Sequence, residues 1–573
     1  MGTISDKLMR IISTKEDIRQ ALISKGYDVP TSIPFKEYAK MILDLPCKAD
    51  SFPDIEGIVA RYSASGLTNE QMAANPVWVD KTGNGHDLQL KNFSWKGMSG
   101  IGGYVADIDE WGTNSTAAYF ERNSIKITAT FKENASLGLL YHNIKLRQSC
   151  VLKVTGIPEG CDAFLDDRLG NRFYMSEDGV YEIIPSNFLA EALYFSIEKY
   201  PEGWYGSKLT IEQLPLYPGA LVFDGVDDYG VCDNFPILTK EKGYTVVALR
   251  QWITYNPNVI SAIATNASDQ SFNGAFTFEN YNKGAEQTIS YGATQISLQY
   301  SKSPFSWQTT SKYNGVNIAN GNKDATNSLV LGRSYPQRND FANFAIWELV
   351  FLDHDATEEE LTKIKDYFVK TYPWLFPDQA WTVVGKTNED EDRATIANIT
   401  GNGNDLVLSN FGFAEGSGYN EEGEYAGYLV TDGVDDKIIS SIFKMGNDWT
   451  VIGDWELINT GKNDNAGIVK FDSIVIYNYN SMLINIKNGR NILIPDQNTV
   501  NAICSDGRIY SKDWKESIYN EETESTSENF LTIGYSGNAY TKIAFKNLAI
   551  YPTVLSREDC IKAYNYLQTL KAK

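Results

Sequence analysis

The sequence predicts a mainly β protein: two β-sandwiches in tandem, the first split by a small inserted β-sandwich, behind a short α-helical N-terminal segment. Three observations predict this. Several turn and strand motifs recur in the same order in both halves of the chain. Between them lie short runs that alternate apolar with polar residues and are bounded by Gly, Asn and Asp. The composition, with 34 Tyr, 26 Phe and 45 Gly in 573 residues, suits pleated strands and tight turns.

Residues 1–50 differ in kind from the rest. "SDKLMRIISTKEDIRQALISKGYDV" reads as a helix, with Ser13 and Glu16 as a capping box and Gly26 as the stop. "SIPFKEYAKMILDL" reads as a second helix with Pro34 in its first turn. Ile18, Leu22, Phe35, Tyr38 and Ile42 supply apolar positions. Two short helices make no stable core alone, so this segment is expected to dock on something.

The duplication begins after it. "TGNGHDLQLKNF" (Thr82 to Phe93) matches "TGNGNDLVLSNF" (Thr400 to Phe411), and "FDGVDDYG" (Phe223 to Gly230) matches "TDGVDDKI" (Thr431 to Ile438). The first pair is farther apart than the second by roughly 110 residues, so the earlier copy carries an insertion of about that size. "YTVVALRQW" (Tyr244 to Trp252) faces "WTVIGDWEL" (Trp449 to Leu457), and "LVLGRS" (Leu329 to Ser334) faces "LTIGYS" (Leu531 to Ser536). Each copy closes on a strand and a short helix, with Thr357 and Ser556 as N-caps and Glu360 and Asp559 three residues on. The expected division is 51–103 and 218–376 for the first sandwich, 104–217 for the guest and 377–573 for the second sandwich. Within the guest, "SIKITATF", "VLKVTG", "GVYEII", "LYFSIE" and "KLTIEQL" read as strands.

In order, the glycine turn, the acidic turn, the "LxIG" strand and the closing strand and helix resemble the laminin G-like, concanavalin A-like jelly-roll family. The likeness covers residues 51–103 with 218–376, and again 377–573. The front end, "TKEDIRQALISKG…PFKEYAKMI", is similar to N-terminal segments of bacteriophage tail and appendage proteins. With sandwiches behind it, the chain resembles a fibre or appendage of a crAss-like phage infecting Bacteroidales. The resemblance implies attachment to other virion proteins through residues 1–46, a trimer, and outward sandwiches that bind a bacterial surface glycan or receptor.

Asp224, Asp227 and Asp228, with Asp432, Asp435 and Asp436, offer carboxylate oxygens of the kind Ca²⁺ takes. Ca²⁺ is the one cofactor the pattern suggests; the alternative is that these carboxylates only brace a turn. Tyr229 stands where the second copy has Lys437, which weighs against a cation there. Trp204 and Tyr205, in "YPEGWYG", can stack on sugar rings or pack in an interface. "NEDED" (Asn388 to Asp392) is consecutive, so its side chains alternate faces and read as a solvated loop, not a glycosidase pair. His86 is replaced by Asn404 in the second copy and reads as a turn residue. "GYSGN" lacks the last glycine of a nucleophile elbow.

A net charge of −22 disfavours nucleic-acid backbones and anionic membranes. No run approaches a membrane-spanning length. The three His are scattered and none of the six Cys forms a CxxC pair, so metal ribbons and His-based triads are not expected. Cys150 and Cys161 are open to two readings, a bridge across a hairpin or buried thiols. The expected function is non-enzymatic: a virion protein, made in the host cytoplasm, that presents lectin-like modules. The alternatives are a capsule depolymerase and a purely architectural decoration protein.

Overall fold

A computed structural model describes residues 52–105 and, with breaks, 118–572. The longer stretches outside the described residues are 1–51, 106–117, 133–149, 184–193, 199–205, 255–260, 266–276, 299–306, 311–326, 459–465 and 519–530. The two helices expected before residue 51 therefore lie outside the described residues. The chain divides into two compact units, residues 1–55 with 362–367, and all the rest. In the described part of the first, the Phe52 and Tyr367 rings meet edge-on at 4.9 Å.

The protein is mainly β, with three α-helices among the described residues: α1 (Asn69–Ala74), α2 (Glu358–Thr371) and α3 (Arg557–Leu567). In the earlier half one seven-stranded sheet has Asn343–Leu352 at its centre, between Thr245–Thr254 and Leu221–Asp224, and Ile58–Ser63 also pairs with that central strand. A second seven-stranded sheet runs through Leu329–Leu331, Tyr229–Cys232 and Leu88–Lys91. Strict alternation shows why: Leu88 and Leu90 are buried while Gln89 and Lys91 are exposed. Trp78, Leu88, Phe223, Phe344, Ile346, Leu349 and Phe351 fill the space between the sheets.

The later half repeats the plan with two eight-stranded sheets. Ile543–Tyr551 replaces Asn343–Leu352, between Thr450–Leu457 and Leu429–Val430, and Gln379–Thr382 pairs with it as Ile58–Ser63 does with its counterpart. Leu406–Ser409 pairs with Lys437–Ser440 as Leu88–Lys91 pairs with Tyr229–Cys232. Trp381, Leu406, Ile438, Trp455, Phe545, Leu548 and Ile550 form its core.

Both central strands carry the same irregularity. Ile346 opposes Arg250 and Glu348 opposes Leu249, which leaves Trp347 as an extra residue. Phe545 opposes Trp455 and Asn547 opposes Asp454, which leaves Lys546 extra. The inward set accordingly switches phase, from Phe344 and Ile346 to Leu349 and Phe351, and from Ile543 and Phe545 to Leu548 and Ile550. A bulge of this kind re-aims a side chain and sharpens the local twist.

The guest leaves and returns side by side: Tyr217 N–H bonds to Gly102 O at 2.8 Å and Leu216 N–H to Gly103 O at 2.9 Å. Its five-stranded sheet has the order Gly179–Ile183, Cys150–Thr155, Lys208–Gln213, Lys126–Phe131, Ala118–Asn123. A three-stranded sheet, Tyr194–Glu198, Asp162–Asp166, Arg172–Met175, lies across a shared core of Ile127, Leu152, Ala163, Leu165, Met175 and Ile211. Cys150 is a free, buried thiol, pushed up to about 12 by burial and then by the charge of Glu182.

The guest also rests on the later half. Lys546 Nζ lies 3.3 Å from Glu182 of the guest and 3.3 Å from Asp454. The Tyr564 hydroxyl on α3 donates to Glu182 at 3.2 Å, and Tyr428 donates to Asp454 at 3.0 Å. The Trp347 side chain donates to Pro218 O at 2.8 Å and meets the Tyr566 ring on α3 edge-on at 5.8 Å. The two bulged residues, Trp347 and Lys546, thus both make contacts between modules.

Candidate functional site: the twin acidic turns

Each acidic turn follows a buried strand end, Leu221–Asp224 or Leu429–Val430, and reverses the chain at a glycine with positive φ, Gly225 at 76° and Gly433 at 75°. A side chain is barred at Gly225 for a second reason: its Cβ would sit 2.7 Å from Asn343 Cβ. Asp224 Oδ1 accepts from the amides of Val226 (2.8 Å) and Asp227 (3.4 Å). Asp228 Oδ2 accepts from the Asp224 amide at 3.0 Å, and its Oδ1 from the Ser99 hydroxyl at 3.0 Å. The second turn repeats this atom for atom. Asp432 Oδ1 accepts from Val434 (2.7 Å) and Asp435 (3.2 Å), and Asp436 accepts from the Asp432 amide (2.7 Å) and Ser417 (3.2 Å). Asn92 and Asn410, both at positive φ, tie down the Asp227 and Asp435 carbonyls at 3.0 Å.

Burial raises the Asp228 carboxyl to about 7, against hydrogen bonds that lower it, and raises Asp436 to about 6 in the same way. One carboxylate oxygen from each of the three Asp in a turn comes within 4.8 Å of the others. These are the oxygens that a cation would meet at each turn. The hydrogen bonds within each turn account for them equally as braces.

What the turns display is an apolar tip. Val226 and Val434 are each 70% exposed, with Asp227 and Asp435 exposed beside them. Next to the first tip, the Arg333 guanidinium lies 5.4 Å from the Tyr229 ring and 5.6 Å from Phe341. In the second, Lys437 at the Tyr229 position stands 5.7 Å from the Tyr540 ring, and Tyr535 takes the sequence position of Arg333. The cation has changed position between the copies while its aromatic neighbourhood is kept.

The remaining candidates separate cleanly. Trp204 and Tyr205 lie outside the described residues. Asn388 brackets the Tyr419 backbone at 2.8 Å on both sides, and Asp390 accepts from Thr387 N and Oγ1 at 2.9 Å. "NEDED" is therefore a tied loop. His86 offers its carbonyl to the Tyr62 hydroxyl, as Asn404 offers its own to Trp381 Nε1 at 2.9 Å. The backbone, not the imidazole, is what both copies use. Tyr535–Ser536 pairs with Ala539–Tyr540, so the described serine of "GYSGN" sits in a strand. The Glu182–Lys546–Asp454 cluster was not legible, because its members come from different modules.

No family model matches the chain, and no curated protein matches it. Among solved structures it is similar to the receptor-binding domain of botulinum neurotoxin type G, at 12% identity, TM-score 0.20, over 33% of this chain and 50% of that one. The chain thus spans about half the length of that domain. It is also similar to Trypanosoma rangeli sialidase in complex with sialic acid, at 9% identity, TM-score 0.22, over 78% and 83% of the two chains. At such TM-scores these likenesses carry no argument. No helix among the described residues is long and apolar enough to cross a membrane.

Proposed function

We propose that this chain is a non-enzymatic bacteriophage virion protein, a fibre or appendage that presents tandem jelly-roll, lectin-like sandwiches to a host surface glycan or receptor. Residues 1–46 attach it to other virion proteins, and a trimer multiplies weak contacts through effective concentration. The observation that carries the reading is the duplicated rim: two equivalent turns, each with an exposed valine beside a cation held over an aromatic ring. The carboxylates there sit side by side on one loop and accept that loop's own amides, which suits display better than acid–base chemistry across a glycosidic bond.

The test is retention of the full chain on arrayed bacterial surface polysaccharides and on host cells. Binding without release of reducing ends is expected. Release of soluble product would instead make it a depolymerase, and silence on every glycan and cell, with tight binding to virion proteins, an architectural component. Deleting residues 1–46 is expected to leave the sandwiches folded and abolish incorporation into particles; incorporation of the truncated chain would refute the anchoring role.

A further inference from the structure

The guest carries a second surface, on its three-stranded sheet. Along Asp162–Asp166 the alternation sends Ala163 and Leu165 into the core, both fully buried, and Phe164 to the opposite face. On the neighbouring strand Met175 points inward, so Arg172 and Tyr174 share the face of Phe164. Phe164 and Tyr174 are cross-strand partners with ring centroids 5.6 Å apart. The Arg172 guanidinium lies 4.5 Å from the Phe164 ring and donates to the Tyr174 hydroxyl at 3.3 Å. Phe164 is thereby covered, while Tyr174 stays 51% exposed and Leu169, on the connecting hairpin, 62% exposed.

We infer that this face is a binding site for a neutral pyranose residue of a polysaccharide. The inference rests on the carbohydrate-binding reading above and assigns that role to the guest. A pyranose has an apolar C–H face and a polar edge. The Tyr174 ring, oriented by its neighbour and fixed at low entropic cost, fits the first. The guanidinium fork fits adjacent hydroxyls on the second. Charge decides between neutral and acidic sugars. The whole chain carries −22, so a polyanionic glycan meets repulsion that a neutral diol does not.

The experiment is calorimetric titration of the full chain with neutral hexose oligosaccharides and, separately, with a polyuronate. Tyr174→Ala and Arg172→Ala are expected to weaken neutral-sugar binding by about tenfold or more, with Tyr174→Phe close to the parent. Both positions are exposed, and circular dichroism checks that each variant folds. Neutral-sugar binding untouched by both Ala variants overturns this site and leaves the carbohydrate reading standing. Binding confined to the polyuronate overturns the neutral assignment. No glycan binding by the parent chain removes the carbohydrate reading, and this site with it.

Discussion

Asp228 has no solvent exposure, and its two oxygens face a serine hydroxyl and a backbone amide. Its pKa is raised by burial, so the folded state holds a proton that the unfolded chain has released. Stability from this group is complete below about pH 4 and is lost as pH rises towards 7, at about 1.4 kcal/mol per pKa unit. Asp436 acts in the same direction with a smaller shift. Thermal unfolding should therefore show a falling midpoint from pH 4 to 8. Asp228→Asn, whose amide can serve both partners, should flatten that fall; an unchanged slope would mean the proton is not held there. Asp224→Ala removes the acceptor of two turn amides and should cost about 1–2 kcal/mol in chemical denaturation, whatever the ligand. The acidic turns were legible as turns because glycine and aspartate announce them. Which carboxylate is buried was not, since Asp227 and Asp228 are adjacent and only the fold brings Ser99 to one of them.

Secondary-structure elements show the same division. The helix starts at Thr357 and Ser556 were readable, and both side chains accept the expected amide, from Glu360 and Asp559. The start of α1 carries the same signal, with Thr68 and Gln71 forming a full capping box, but six residues hold too little periodicity to read as a helix. Arg172–Met175 and Asp162–Asp166 are not legible as strands because they are short and their outward positions hold an aromatic residue, which blurs the alternation. Neither central bulge was visible, because Trp347 and Lys546 each sit in runs that read as continuous strand. Glycines sort by what lies behind them. Gly225→Ala meets Asn343 at 2.7 Å and needs a left-handed backbone, whereas Gly83→Ala, at φ 80°, meets nothing within 4 Å. The first should lose about 2–3 kcal/mol and the second about 1 kcal/mol on denaturant titration. Equal losses would show that only the backbone matters.

Across the whole molecule, the guest, the C-terminal helix and the later sandwich meet around one ammonium and two carboxylates. Burial disfavours the charge on Lys546, but Glu182 and Asp454 hold its pKa above the usual value. Glu182 is raised by burial, then pulled back by Lys546, with Asp454 adding to the rise. One cation thus balances two anions. Lys546→Met leaves both carboxylates facing each other and should cost about 3–5 kcal/mol, seen in calorimetry as a lower or split transition. Glu182→Gln keeps the Asp454 pair and should cost much less; equal costs would mean the ammonium does not bridge the modules. No spacing rule could have found this pair, which is separated by 364 positions in the chain.

That arrangement changes what trimming the protein reports. Excising residues 104–217 removes the strand bearing Glu182, and Lys546 and Tyr564, which belong to the far sandwich, are then bared to water. A shortened protein that no longer adheres would incriminate its C-terminal part as readily as the piece cut away. Residue-by-residue changes on the guest's outer sheet, which leave this seat intact, tell the two apart.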